Sequence, residues 1–175
     1  MARLDEHDAD RIGRRTPAQG IVLSPTMPLI LFCTVRTKAQ STWMAQELVH
    51  NTLHDIWLSD ATVWLVGHYV LMPDHLHFLC CPRAVSEDVS VEDWTQYWKS
   101  RFSKGRKRPE WKWQRGLFHH RIRNDYQLQE KLDYIRDNPV KAGLVEKAED
   151  WPWRGCVHDL AAHIRSFGAQ GQRAL

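Results

Sequence analysis

The sequence predicts an α+β fold: a ferredoxin-like, split βαβ sandwich, as in RNA-recognition modules, with one helix added at its C-terminal end. Three observations predict it. Apolar, β-branched runs and segments with helical spacing alternate in the order β-α-β-β-α-β, which is the split βαβ order. Only Pro73-Asp74, a turn signal, separates the second run from the third. A further segment with helical spacing follows the last run.

The four predicted strands are short apolar runs rich in β-branched and aromatic residues. They span residues 29–37, 61–72, 75–82 and 116–123. The second and third should pair as a hairpin across the Pro73-Asp74 turn, because two strands joined by so short a connection can only be antiparallel.

The predicted helices run from the Ser41-Thr42 cap to about Trp57, from Val91 to Arg106, and from Asp125 to about Asp137. The first helix should bury Met44, Leu48 and Leu53. We expect Pro139 to end the third helix, since a proline disfavours helical backbone in the residue before it. This third helix is the added one.

A chain of 175 residues fits one domain with modest tails. We expect residues 1–26 to be a polar, flexible N-terminal arm, residues 27–155 to be the domain, and residues 156–175 to be a C-terminal tail. The segment between the third helix and the tail, including the tryptophans of DWPW, should pack as irregular structure.

Composition excludes several classes of protein. No run of about eighteen apolar residues is present, so no transmembrane helix is expected. The N-terminus lacks the apolar stretch of a secretory signal. The four cysteines form no Cys-x-x-Cys pair, which argues against a zinc ribbon and against a disulfide framework. Reduced thiols and a cytoplasmic location are therefore predicted.

Positive charge is concentrated in one segment. The whole chain carries only +3, but residues 95–125 hold ten basic side chains against two acidic ones, a local charge of +8. Such a block is either a solvated surface or a contact for nucleic acid. The candidates for DNA contact are Lys99, Arg101, Lys104, Arg106, Lys107, Arg108, Arg121 and Arg123, with Trp113, or its neighbour Trp111, as an aromatic face for an unpaired base.

The motif His75-Leu76-His77 is a candidate metal site. Side chains alternate faces along a strand, so both imidazoles point the same way and Leu76 points into a core. Two imidazoles on one face can hold one metal ion. His119 and His120 are further candidates, but adjacent residues of a strand face opposite ways, so at most one could join.

A second motif lies in the third helix. Tyr134 and Asn138 are four residues apart and so share one helix face. A phenol beside an amide oxygen places a nucleophile next to a possible metal ligand. A nearby cation would favour the phenolate, because a free phenol ionises only near pH 10. Tyr126 is the main rival nucleophile.

Together these motifs resemble a known family. HYVLMPDHLHFL resembles the histidine–hydrophobic–histidine signature of HUH single-tyrosine transposases, and WQRGLFHHRIRND followed by YIRDNPVKAGLV is similar to REP-associated tyrosine transposases. The resemblance covers about residues 29–153. Asp74 and Leu76 stand where asparagine and valine are common in the family, and neither is a ligand.

The resemblance implies a metal-dependent endonuclease and strand transferase. Tyr134 would be the nucleophile, and His75, His77 and Asn138 would hold Mg²⁺ or Mn²⁺. The implied substrate is single-stranded DNA beside a palindromic hairpin, cleaved through a 5′-phosphotyrosine. Monomer and homodimer both remain open. Three alternatives also remain: a non-catalytic DNA- or RNA-binding module on this fold, a zinc hydrolase that adds His119 or His120, and a hairpin-binding regulator.

Overall fold

The structure is a computed structural model that describes residues 29–84, 89–105 and 108–171. The strands are β1 (Ile30–Arg36), β2 (Trp64–Leu71), β3 (His75–Pro82), β4 (Phe118–Ile122) and β5 (Arg154–Cys156). The α-helices are α1 (Glu47–Asp55), α2 (Val91–Gly105), α3 (Asp125–Lys141) and α4 (Leu160–Gly171). The predicted arm, residues 1–26, lies outside the described residues.

The five strands form one antiparallel sheet in the order β4-β1-β3-β2-β5. The first four follow the ferredoxin-like order, which confirms the predicted fold class. β3 begins and ends at the predicted residues, and β2 and β3 form the predicted hairpin. β5 adds a short edge strand beside β2.

Each face of the sheet packs against its own pair of helices. On one face, which we call the core face, β1, β2 and β3 pack against α1 and α2 through a cluster that includes Trp57, Trp94 and Trp98. On the other, which we call the site face, α3 and α4 pack through Ile135 and Leu160 against residues such as Phe32. His75 and His77 alternate with core-face Leu76, as predicted, and so belong to the site face.

The first helix begins later than predicted. α1 starts at Glu47, and a π-helical turn, Ile56–Asp60, follows it. The preceding residues are held in turns instead: the Ser41 hydroxyl donates to the Lys38 carbonyl, and the Met44 amide donates to the Pro73 carbonyl. Leu48, predicted to be buried, is 40% exposed as a result.

The prediction that Pro139 ends the third helix is wrong. α3 continues to Lys141, with Pro139 buried in its last turn. After the C-cap residue Ala142 the chain turns out of the helix at Gly143, whose φ of 69° is accessible to glycine at little cost. The Gly143 amide donates to the Val140 carbonyl and the Leu144 amide to the Pro139 carbonyl, the two bonds of a Schellman cap.

The C-terminal region is more regular than predicted. The segment expected to be a tail from residue 156 contains the end of β5 and α4. α4 lies close to the sheet because Gly67 has no side chain: a Cβ there would come within 2.7 Å of Leu160. In the described ranges no helix is long and apolar enough to cross a membrane.

Candidate functional site

The two histidines of the motif lie together on β3. Their ring centroids are 4.7 Å apart, and the rings are nearly perpendicular. His77 is buried and stacks on Phe32, with ring centroids 5.3 Å apart. His75, nearer the end of the strand, is partly exposed.

Each imidazole is oriented by a partner at Nδ1. The Thr34 hydroxyl lies 2.8 Å from His77 Nδ1, and an Asp74 carboxylate oxygen lies 2.7 Å from His75 Nδ1. With Nδ1 engaged in this way, Nε2 is the nitrogen left to bind a metal ion. Metal-binding histidines usually have such a partner on their other nitrogen.

Burial favours the neutral form of both imidazoles, which is the form that binds metals. The pKa of His77 is lowered to about 3, first by burial and then by neighbouring cationic groups. Burial also lowers the pKa of His75, and the hydrogen bond that the Asp74 carboxylate accepts from His75 opposes that shift.

α3 brings Tyr134 to these histidines. The Tyr134 hydroxyl lies 3.4 Å from His77 Nε2, a long contact, and the two rings meet edge-on at 5.0 Å. Asn124 begins the helix by accepting a hydrogen bond from the Gln127 amide. Because the helix passes through Pro139, Asn138 remains helical and buried, one turn after Tyr134 on the same face.

Three cations that the sequence analysis did not select surround this site. Lys131 and Lys141 each lie 5.8 Å from the centroid of the Tyr134 ring. Arg36 pairs with His75 in the β1–β3 register and lowers the pKa of both histidines. Two signals in the sequence could have identified these residues. Lys131 and Lys141 lie at helical spacing from Tyr134, and Arg36 lies two residues from Thr34 on the same strand.

Within the described residues, the predicted DNA contacts do not form one surface around the histidines. Arg101 and Lys104 are exposed on α2, which packs on the core face, and Arg101 forms an ion pair with Asp60 at 2.7 Å. Arg123 is exposed after β4, whereas Arg121, within β4, is partly buried. Arg106 and Lys107 lie outside the described residues.

Two of the predicted DNA contacts serve the fold instead. Lys99 is buried, and its ammonium donates to the carbonyls of Gln114 at 3.0 Å and Gly116 at 2.6 Å. Trp113 packs against the core-face cluster, with its ring centroid 4.9 Å from that of Trp43. The Lys99 ammonium is therefore not free to follow a DNA backbone, and the Trp113 ring, predicted to stack on an unpaired base, packs against core residues.

His119 and His120 face opposite ways, as predicted. His119 Nε2 lies 2.7 Å from a Glu92 carboxylate oxygen on α2. His120 lies on the site face, with its ring centroid 5.3 Å from that of Phe32. The described ranges contain no group of three or more His, Cys, Asp or Glu side chains that could hold a metal ion.

The site therefore combines a ferredoxin-like sheet, two oriented imidazoles on one strand and a tyrosine on a helix beside them. The resemblance to HUH single-tyrosine transposases implied this arrangement. No family model matches the sequence. The chain is 32% identical over 107 residues to a Haemophilus influenzae protein with the provisional name REP-associated tyrosine transposase, a match covering 54% of this chain and 60% of that protein.

Two further relatives agree. An Escherichia coli K12 REP-associated tyrosine transposase is 32% identical over 98 residues, covering 55% of this chain and 56% of that protein. The chain therefore spans less than two thirds of either curated relative. A solved REP-associated tyrosine transposase bound to a REP hairpin has the same fold, with a TM-score of 0.62 and 23% identity over 74% of this chain and 78% of that one. These findings confirm the resemblance.

Proposed function

We propose that the protein is a metal-dependent endonuclease and strand transferase that acts on single-stranded DNA beside hairpins through a 5′-phosphotyrosine intermediate. One observation carries this proposal: the Tyr134 hydroxyl lies 3.4 Å from Nε2 of His77. A tyrosine whose only role was packing would not need its hydroxyl directed at an oriented, neutral imidazole.

His75, His77 and Asn138 are the residues that would hold the metal ion. The two Nε2 atoms and an amide oxygen form a mixed nitrogen and oxygen donor set that suits Mn²⁺, and Mg²⁺ could bind if phosphate oxygens complete its shell. When bound, the ion would polarise the scissile phosphate and offset the charge that develops on it. Thr34 and Asp74 would keep the imidazoles in position.

The chain's own residues account for the exchange of bonds. The Tyr134 oxygen attacks the scissile phosphorus, the bond from phosphorus to the 3′-oxygen breaks, and the phenol proton passes to solvent. The 3′-oxygen leaves as a hydroxyl after taking a proton. Lys131 and Lys141, each 5.8 Å from the centroid of the Tyr134 ring, would offset the negative charge of the phosphate. One ester bond replaces another, so a 3′-hydroxyl can reverse the attack without ATP.

Hairpin DNA is the proposed partner, because one structural relative was solved with a REP hairpin. Scissile DNA must reach a phenol that lies between a helix and the sheet, and a flexible single strand can do this more easily than a duplex. A cytoplasmic location stays a prediction. The oligomeric state, monomer or homodimer, also stays open.

A cleavage assay tests the proposal. End-labelled DNA with a hairpin and a single-stranded flank should yield a protease-sensitive covalent adduct in Mg²⁺ or Mn²⁺ and none in EDTA, whereas a blunt duplex of equal length should yield little. Full activity in EDTA would exclude the metal mechanism. Hairpin binding without any adduct would instead favour a non-catalytic DNA-binding protein.

A further inference from the structure

A second feature of the structure lies at the end of the sheet near His75. Here an open cavity of about 710 Å³, which we call the Trp111 cavity, is lined by Lys38, Arg108, Trp111, Lys112 and Trp113. A volume of this size falls in the range that accommodates small organic molecules. None of its residues belongs to the proposed metal site.

A short series of hydrogen bonds links the Trp111 cavity to the start of β3, the strand that carries His75 and His77. The Lys38 amide donates to the Lys112 carbonyl at 2.8 Å. Thr37, the residue before Lys38, forms an isolated antiparallel β-bridge with Trp113. The Thr37 amide and hydroxyl both donate to the Asp74 carbonyl, at 2.9 and 3.0 Å. DNA leaving the metal site past Arg36 would therefore meet the cavity after passing round the end of β1.

The indole of Trp111 is held in place by the hydrophobic core. It stacks on buried Trp43 with ring centroids 5.4 Å apart and only 11° between the planes, yet it remains partly exposed. The Arg108 guanidinium lies over the same ring, 5.6 Å from its centroid, and its one carboxylate partner in the described residues, Glu110, is 3.8 Å away. An aromatic face fixed by the core, beside exposed cations, is typical of sites that stack unpaired bases.

We infer that the Trp111 cavity binds one unpaired nucleotide of the DNA flank, with the base stacked against Trp111 and the phosphate near Lys38 and Lys112. This inference rests on the proposed function, since it assumes that a single strand reaches Arg36. To admit the base, the exposed Arg108 side chain would move off the Trp111 ring and cover the outer face of the stacked base, as guanidinium groups do. Stacking requires no particular base, so the cavity would favour an unpaired nucleotide of any sequence.

Photocrosslinking of the wild-type protein locates the nucleotide. Hairpin DNA carrying 5-iodouracil at successive flank positions should crosslink at one position to the tryptic peptide 108–112, which contains Trp111. Trp113 falls in a separate peptide, 113–115. Crosslinks that map elsewhere at every position would overturn the inference. Covalent adduct formation is scored on the same DNA, so loss of this inference is distinguishable from loss of the proposed function.

Two pairs of variants test the energetics. Trp111→Leu should weaken binding of the flanked hairpin by about 5- to 150-fold and leave binding of a flankless hairpin within about two-fold, with Trp111→Phe restoring most of the loss. The double variant Lys38→Ala/Lys112→Ala should likewise weaken binding of the flanked hairpin more than binding of the flankless hairpin. Its matched control, Lys104→Ala/Arg115→Ala, removes the same charge from exposed residues outside the cavity and should weaken both DNAs alike. Equal effects on both DNAs from Trp111→Leu would contradict the inference.

Discussion

The two faces of the sheet are built from the same strands yet have different chemistry. The core face buries five tryptophans, Trp43, Trp57, Trp64, Trp94 and Trp98, against α1 and α2. The site face also has an apolar cluster, but it places His75, His77, Thr34 and Tyr134 beside it under α3. Strand alternation alone separates the two, since Leu76 lies between the two histidines on the other face.

This difference shows how a small domain can hold polar groups under a helix. Burying an imidazole is unfavourable unless its nitrogens find partners. The site face provides them for Nδ1 of both histidines, at 2.7 and 2.8 Å, and leaves Nε2 for a ligand. The core face contributes the large apolar area that holds the sheet together.

The largest expected effect is that of Tyr134→Phe. It removes only the phenolic oxygen, and the remaining ring still packs against Phe32. Adduct formation should fall to background, whereas hairpin affinity, measured by gel shift, should stay within about three-fold. Tyr126→Phe is the matched control because Tyr126 is 79% exposed on the same helix, and it should leave cleavage unchanged.

Next in size are His75→Ala and His77→Ala. Each removes one of few protein ligands, so metal-dependent cleavage should be lost in both variants at ordinary metal concentrations. His120→Ala serves as the control: it deletes an imidazole of the same face that lies outside the proposed ligand set. If His120→Ala abolishes cleavage and His75→Ala does not, the ligand assignment fails.

Thr34→Val should have an intermediate effect. It removes the hydroxyl that orients His77 and keeps the side-chain shape. We expect the metal concentration for half-maximal cleavage to rise by about 10- to 100-fold, with Thr34→Ser close to wild type. A purely structural role would lower the melting temperature without changing the metal dependence of cleavage.

The smallest effect on DNA should come from Lys99→Met, although this lysine lies in the most basic segment. Loss of its ammonium leaves the Gln114 and Gly116 carbonyls without that donor, which should cost about 1–3 kcal/mol in the free energy of unfolding. The salt dependence of DNA binding should not change.

Lys131→Met, on the site face, should have the opposite effects. We expect a flatter salt dependence of DNA binding and little loss in the free energy of unfolding.

The sequence was sufficient for the parts of this structure that depend on local pattern. Period-two alternation placed His75 and His77 on one face, and helical spacing placed Tyr134 with Asn138. Clustered positive charge in the sequence was a weaker guide to DNA contacts, because residues distant in the sequence decide whether a lysine is exposed or buried. Lys99, for example, donates to the carbonyls of Gln114 and Gly116.

The remaining differences have one local cause and several tertiary ones. The Schellman cap at Gly143 and the burial of Pro139 carry α3 past a residue that local rules treat as its end. β5 has only three residues and exists because β2 offers an open edge. α4 packs where Gly67 leaves room for Leu160. Short-range sequence patterns contain neither the β2–β5 pairing nor the Gly67–Leu160 contact, whereas the glycine of the cap was visible in the sequence.

The central claim, that Tyr134 becomes covalently bound to DNA, is tested most directly by mass spectrometry of the adduct. Trypsin should release Tyr134 in peptide 132–136 and Tyr126 in peptide 124–131. After nuclease treatment, we predict a nucleotide joined by its 5′-phosphate to peptide 132–136, with peptide 124–131 unmodified. A nucleotide on peptide 124–131, or a 3′-phosphate linkage, would contradict the account.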